Sequence, residues 1–171
     1  GFSRRQFLKT SAAIAAATGL PGWFLEREQA LAASAPKRPG PNDRPGIALV
    51  GCGGMGRGDA DNARRFGDLV AVCDVDKRHA EEAAKQFARD GRQPAIYSDF
   101  RKLMERQDVH VIVNGTPDHW HVPMTVDAGD AGKDVYVEKP LTHDLAEGPA
   151  VVEAQDRNRR IVQVGMQQRS M

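Results

Sequence analysis

The chain has 171 residues, 40% hydrophobic and 27% charged, enough apolar material for one core of ordinary size and a single globular domain. Lys and Arg number 24 against 23 Asp and Glu, a formal net charge of +1. That balance leaves no basic surplus for phosphate backbones and excludes nucleic acid as an expected partner.

The opening Ser3-Arg4-Arg5-Gln6-Phe7-Leu8-Lys9 sets paired arginines before a hydrophobic pair and a further cation. An Ala-rich apolar stretch from Ala12 to Leu25 follows, and Ala30-Leu31-Ala32 supplies the small-x-small pattern of a signal-peptidase site. In this order the regions closely resemble a bacterial twin-arginine (Tat) signal over residues 1–32. The resemblance implies the Tat translocase as export partner and a periplasmic or otherwise exported location. Gly19, Pro21 and Gly22 keep the apolar stretch short of the ~20 residues that span a bilayer, so no stable membrane span is expected after processing. The chain starts at Gly1 rather than Met, and a few residues are expected to precede it. Residues 33–45 are rich in Pro, Gly, Lys and Arg and read as a flexible linker, with folding expected to begin near Gly46.

From Gly46 onward, short apolar runs alternate with segments of helical period, the pattern of a parallel sheet with crossover helices. Strands are expected at Ile47–Val50, Leu69–Cys73, Ala95–Tyr97, Val109–Val113, Val135–Val137 and Ile161–Val164. Their Val and Ile content suits strands buried on both faces. Ala80, Ala83, Ala84, Phe87 and Ala88 fall on one helical stripe that should pack on the sheet. Gly132 is placed to stop the helix that starts after His121. Asp144 or Thr142 can cap the next, which Pro149 fits only if that helix starts late. Six strands with five crossovers predict an α/β, doubly wound (Rossmann) domain over residues 46–165. Cys52 and Cys73 flank strand residues and read as buried thiols rather than a disulfide framework.

The first strand runs into Gly51-Cys52-Gly53-Gly54-Met55-Gly56, a G-x-G-x-x-G turn. Gly51 permits the tight turn, Gly53 lets the backbone approach a pyrophosphate, and Gly56 lets the next helix pack closely on the strand. The helix start then offers N–H groups to the phosphates. Gly51, Gly53, Gly54, Met55 and Gly56 are therefore candidate cofactor contacts. Asp74 ends the second strand 18 residues after Gly56, where a carboxylate accepts both ribose hydroxyls and repels a 2′-phosphate. NAD is favoured, and Lys77 with Arg78 leaves NADP open.

Asn114-Gly115-Thr116-Pro117-Asp118-His119-Trp120-His121 follows the fourth strand and Glu138-Lys139-Pro140 the fifth, both at the edge where open α/β sheets bind ligands. A lysine there can handle a hydroxyl proton. Histidines two apart on an extended segment would point to one side, but no third ligand stands near His119 and His121, and no metal is expected. Trp120 reads as packing or sugar-stacking surface.

The glycine turn, T-P-x-x-x-H at Thr116–His121 and E-K-P at Glu138–Pro140 closely resemble the glucose-fructose oxidoreductase, inositol dehydrogenase and rhizopine-catabolism (Gfo/Idh/MocA) family, over essentially everything from Gly46. Asp118-His119-Trp120-His121-Val122-Pro123 looks like its Tat-exported members. The resemblance implies that Thr116 and Pro117 line the nicotinamide ribose, His121 supports their loop and Glu138 binds the nicotinamide ribose region. It places Lys139 beside the cofactor and the substrate's reacting carbon, allows a cis Lys139-Pro140 bond, and matches Arg169 to the family's substrate-side arginine. It further implies that residues 166–171 begin a crossover to a second, α+β domain absent from this sequence, carrying more acid/base residues and a possible homo-oligomer contact. The implied function is an NAD(P)-dependent oxidoreductase moving a hydride between tightly bound nicotinamide and a sugar, polyol or sugar acid. The alternatives are an NAD-dependent glycoside hydrolase acting by transient oxidation and a non-catalytic carbohydrate- or nucleotide-binding protein.

Overall fold

The structure is a computed structural model that describes residues 44–166; residues 1–43, where the export signal and most of the linker are expected, and Arg169 lie outside the described residues. The elements run β1 (Gly46–Val50), α1 (Gly54–Ala63), β2 (Asp68–Cys73), α2 (Lys77–Gln86), β3 (Ala95–Tyr97), α3 (Arg101–Met104) and β4 (Val111–Asn114). After these come α4 (His121–Asp130), β5 (Asp134–Glu138), α5 (Gly148–Asn158) and β6 (Val162–Gly165). The sheet order is β3-β2-β1-β4-β5-β6 and every neighbouring pair is parallel. The chain winds outward from β1 to β3, then returns to β4 on the other side of β1. That reversal opens the crevice at the carboxyl edge of β1 and β4 where such sheets take ligands.

All five residues of β1 are buried. Leu49, Val72 and Val113 pack under Ala60 of α1 and Ala83, Ala84 and Phe87 from α2 and its end. On the other face Val50, Ile112, Val135 and Val137 meet Met124 and Ala128 of α4. Burial on both faces is what the unbroken Val and Ile runs require.

The helical stripe holds for Ala80, Ala83, Ala84 and Phe87, but Ala88 is exposed. The helix ends at Gln86, and the Ala88 N–H donates to the Lys85 carbonyl at 3.3 Å, a tightened last turn that carries Ala88 off the stripe. β4 begins two residues later than expected and takes in Asn114, because the ladder aligns Ile47 with Val111 and Val50 with Asn114. Ile161 precedes β6 and is 63% exposed. Arg44 and Pro45, expected to belong to the tether, are already held: the Arg44 guanidinium meets Asp68 at 2.8 Å, and the Pro45 carbonyl accepts the Asp68 N–H at 2.9 Å. Gly132, at φ +75°, closes the turn after α4. Asp144 accepts the Ala146 N–H at 2.9 Å while Glu147 accepts the Asp144 N–H at 3.2 Å, a capping box. This box caps a short 3₁₀ turn, so α5 starts late at Gly148 with Pro149 in its first turn.

Cys52 and Cys73 are buried, and burial followed by the nearby Asp74 charge pushes both thiols up to about 12. The thiolate is the reactive form. Both cysteines are therefore expected to resist iodoacetamide in the native protein and to react fully in guanidinium, as counted by mass spectrometry. Rapid native alkylation of either would contradict this packing.

Candidate functional site

The turn after β1 is built from backbone packed on backbone. Gly51 has φ +86°, a conformation that favours glycine, and a Cβ there would lie 2.5 Å from the Gly115 carbonyl oxygen. A Cβ on Gly56 would collide with the Gly51 carbonyl oxygen, and one on Gly115 would lie 2.6 Å from the Gly56 Cα. Gly53 and Gly54, by contrast, have open space where a side chain would begin. Gly53 precedes α1 with no side-chain cap, and the first intrahelical bond is Arg57 N–H to the Gly53 carbonyl at 3.0 Å. The earlier N–H groups thus face a clear approach, as an anion-binding helix start needs.

Asp74 stands at the tip of β2 with its side chain 12% exposed. Its Oδ2 accepts the Cys52 N–H at 2.7 Å and its Oδ1 the Asp76 N–H at 2.8 Å, so the carboxylate holds the glycine turn in place. Each oxygen keeps a further lone pair for a ribose hydroxyl. Arg78 is turned to Asp76 at 2.8 Å, and its side-chain and backbone bonds hold that carboxyl down at about 2; Lys77 lies 3.5 Å from Glu81. Both cations are engaged away from Asp74, which favours NAD over a 2′-phosphorylated dinucleotide. A cavity of about 340 Å³ opens here, bounded by Gly51, Asp74, Ser98, Phe100, Thr116 and Trp120. A larger one, about 760 Å³, lies at the amino ends of the strands among Arg44, Arg89 and Arg106, which pair with Asp68, Asp90 and Asp108.

The loops after β4 and β5 are clamped together. His121 is 2% exposed, with Nδ1 at 2.6 Å from the Pro140 carbonyl oxygen and Nε2 at 2.8 Å from that of Thr116. Asn114, fully buried at the end of β4, accepts the Thr116 hydroxyl at 2.6 Å and donates to the His121 carbonyl at 3.3 Å. The Lys139-Pro140 bond is cis. Lys139 is exposed beyond β5, and its N–H donates to Glu138 Oε2 at 3.3 Å. Glu138 itself is 5% exposed and lies against Asp59 of α1. Burial and the Glu138 charge push the Asp59 carboxyl up to about 7.

A family model described as an oxidoreductase family with an NAD-binding Rossmann fold matches residues 46–166. The chain belongs to the Gfo/Idh/MocA oxidoreductase family. Residues 1–21 match the twin-arginine translocation signal, and no helix among the described residues is long and apolar enough to cross a membrane. Glycosyl hydrolase family 109 protein 2 of Shewanella sp. (strain ANA-3) is 33% identical over 165 residues, 86% of this chain and 35% of that protein. The chain spans little more than a third of the length of the curated relatives it matches. An NAD-binding oxidoreductase from Klebsiella pneumoniae is similar in structure at 33% identity and TM-score 0.63, over 71% of this chain and 34% of that one. Myo-inositol 2-dehydrogenase from Lactobacillus plantarum is similar at 25% identity and TM-score 0.67, over 75% and 38%.

For a Gfo/Idh/MocA chain, the open backbone at Gly53 and the lone pairs left on Asp74 fit the pyrophosphate and ribose of NAD. The cavity brings Gly51, Asp74, Thr116 and Pro117 together, whereas Gly53, Gly54, Met55 and Gly56, in the turn and helix start that follow Gly51, are not part of its lining. Trp120 is 41% exposed, packs edge-to-face on Phe100 at 6.1 Å and lines the cavity that Asp74 bounds, a lining that includes neither Glu138 nor Lys139. His119 and His121 do not share a side: the first lies in the 3₁₀ turn Asp118–Trp120, the second is the buried clamp opening α4. Among the described residues no three His, Cys, Asp or Glu converge as a metal site. Asn114, Gly115 and Asp59 escaped the sequence reading. For Gly115 the signal was present, a glycine directly after a strand and opposite another glycine turn.

Proposed function

We propose that this chain is the cofactor-binding half of an exported enzyme that moves a hydride between NAD and a carbon of a sugar, polyol or sugar acid. The observation that carries it is the common carboxyl edge: glycine turn, Asp74 and the exposed Lys139 all stand there, with the Lys139 turn fixed through Pro140 and His121. Gly51, Gly53, Gly54, Met55 and Gly56 would hold the pyrophosphate, Asp74 the adenosine ribose, and Thr116 and Pro117 the nicotinamide ribose. NAD, when bound, supplies the hydride acceptor. Lys139 would hold or move the proton of the reacting hydroxyl. Residues 1–32 then form the signal, 33–43 the tether, 44–165 the nucleotide domain and 166–171 the start of a crossover. Arg169, in that crossover, would stand on the substrate side, and the α+β domain beyond would bring further acid/base groups and contacts to a second copy. NAD is expected to travel with the folded protein and stay bound.

A second reading, an NAD-dependent glycoside hydrolase, is favoured by the 33% identical relative named as a glycosyl hydrolase. There a hydride would pass from the sugar to NAD and return within one cycle, while water replaces the departing alcohol at the glycosidic carbon, so the cofactor is unchanged overall. The full-length protein distinguishes the two. Free sugars or polyols that raise nicotinamide absorbance support net oxidoreduction. Release of an aryl alcohol from aryl glycosides without net change in bound NAD supports hydrolysis, and neither reaction on either panel overturns the proposal.

A further inference from the structure

Asp59 lies one turn beyond Gly56 on α1, and no motif of the cofactor site includes it. Its Oδ2 is buried with no hydrogen-bond partner, and the carboxyl lies against that of Glu138. A buried carboxylate oxygen with no donor is costly, whereas the carbonyl oxygen of a neutral acid is far less so. Two carboxyl groups in one buried contact also cannot both ionise. Geometry therefore favours one proton lying between Asp59 and Glu138. Tyr136, two residues before Glu138 on the same face of β5, closes the cluster: a Cβ at Gly165 of β6 would meet the Tyr136 hydroxyl at 2.7 Å and Glu138 Oε1 at 2.9 Å. Among the described residues the titratable groups facing Asp59 are Glu138 and Tyr136; β1 and β4, also packed on α1, bring Leu49 and Val113.

We propose that Asp59 is a positioning residue: as a neutral acid it donates a hydrogen bond to the Glu138 carboxylate and so sets the Glu138-Lys139-Pro140 turn that presents Lys139. The inference rests on the catalytic reading of Lys139, but the carboxyl pair can be tested without it. The observation that Glu138 Oε2 accepts the Lys139 N–H at 3.3 Å links the pair to the turn. Asp59→Asn keeps a donor and removes the titration; Asp59→Ala removes both.

Infrared difference spectra of the full-length protein should show the C=O stretch of a protonated carboxylic acid that fades with a midpoint near pH 7 and is missing from Asp59→Asn. Stability follows the same sign. The acid form's contribution is complete below the ordinary Asp value of 3.8 and is lost as pH rises through about 7, so Asp59→Asn should gain Tm on the wild type above pH 7 and match it at pH 4. In turnover, Asp59→Ala should lower kcat roughly 10- to 100-fold with KM and NAD retention little changed, and Asp59→Asn should recover most of the loss. An absent acid band, a Tm difference independent of pH, or Asp59→Asn as impaired as Asp59→Ala overturns the proposal. If the wild type turns nothing over, the functional reading fails, and the band and Tm still decide the pair.

Discussion

Lys139→Met in the full-length protein should lower kcat roughly 10²- to 10⁴-fold while bound NAD is retained, the range that a positioned proton-transfer group supplies. The separation follows from the architecture. Lys139 is exposed beyond β5, whereas the groups suited to the pyrophosphate and adenosine ribose sit after β1 and β2. Its backbone is fixed on both sides, by Glu138 through its own N–H and by His121 on the Pro140 carbonyl, so truncating the side chain should leave the turn in place. Lys139→Arg preserves the charge but not a releasable proton, since the guanidinium stays protonated in proteins, and should remain impaired. Single-turnover reduction of bound NAD by substrate is the measurement. A loss under tenfold in both variants would move the proton-handling role to another residue.

The second large effect needs no substrate. Gly56→Ala drives a methyl into the Gly51 carbonyl oxygen, a backbone atom that cannot rotate away. Relief requires the turn and α1 to separate, at a cost of about 1–3 kcal/mol. The same separation withdraws the N–H groups from one another, and NAD affinity should fall by two orders of magnitude or more. Two residues along the same helix, Gly58 has open space where its Cβ would stand. Gly58→Ala should therefore stabilise by roughly 0.5–1 kcal/mol, from helix propensity alone, and leave NAD affinity intact. Calorimetric Tm together with NAD titration checks both. Equal behaviour of the two variants would mean that the backbone contact at Gly56 is not what holds the turn.

The sheet was legible because its signals are local. Each buried strand announces itself as a short Val and Ile run, and all six occur within two residues of their expected bounds. The glycine turn and Asp74 were legible for the same reason, since a strand, three spaced glycines and an acid follow one another directly. What escaped depends on contacts distant in the chain. Asp59 sits in the helix sequence Gly-Arg-Gly-Asp-Ala-Asp, where nothing sets it apart from Asp61 until β5 brings Glu138 against it. Asn114 was visible only as part of a loop string, and its burial comes from β4 being one residue longer than its apolar run. Trp120 was assigned by residue type, and its partner Phe100 lies on the far side of a crossover. Lys133 was not singled out at all, and it is buried with its ammonium on the Arg106 carbonyl at 2.6 Å, a contact made across 27 residues.

One imidazole bolted between two carbonyl groups has a mechanical outcome. The ring ties the lips above β4 and β5 to each other, so a displacement of Thr116 should be passed to Pro140 and to its neighbour Lys139. A ligand that displaces Thr116 should thereby be felt at the lysine, the crevice responding as a single jaw rather than as two independent fingers.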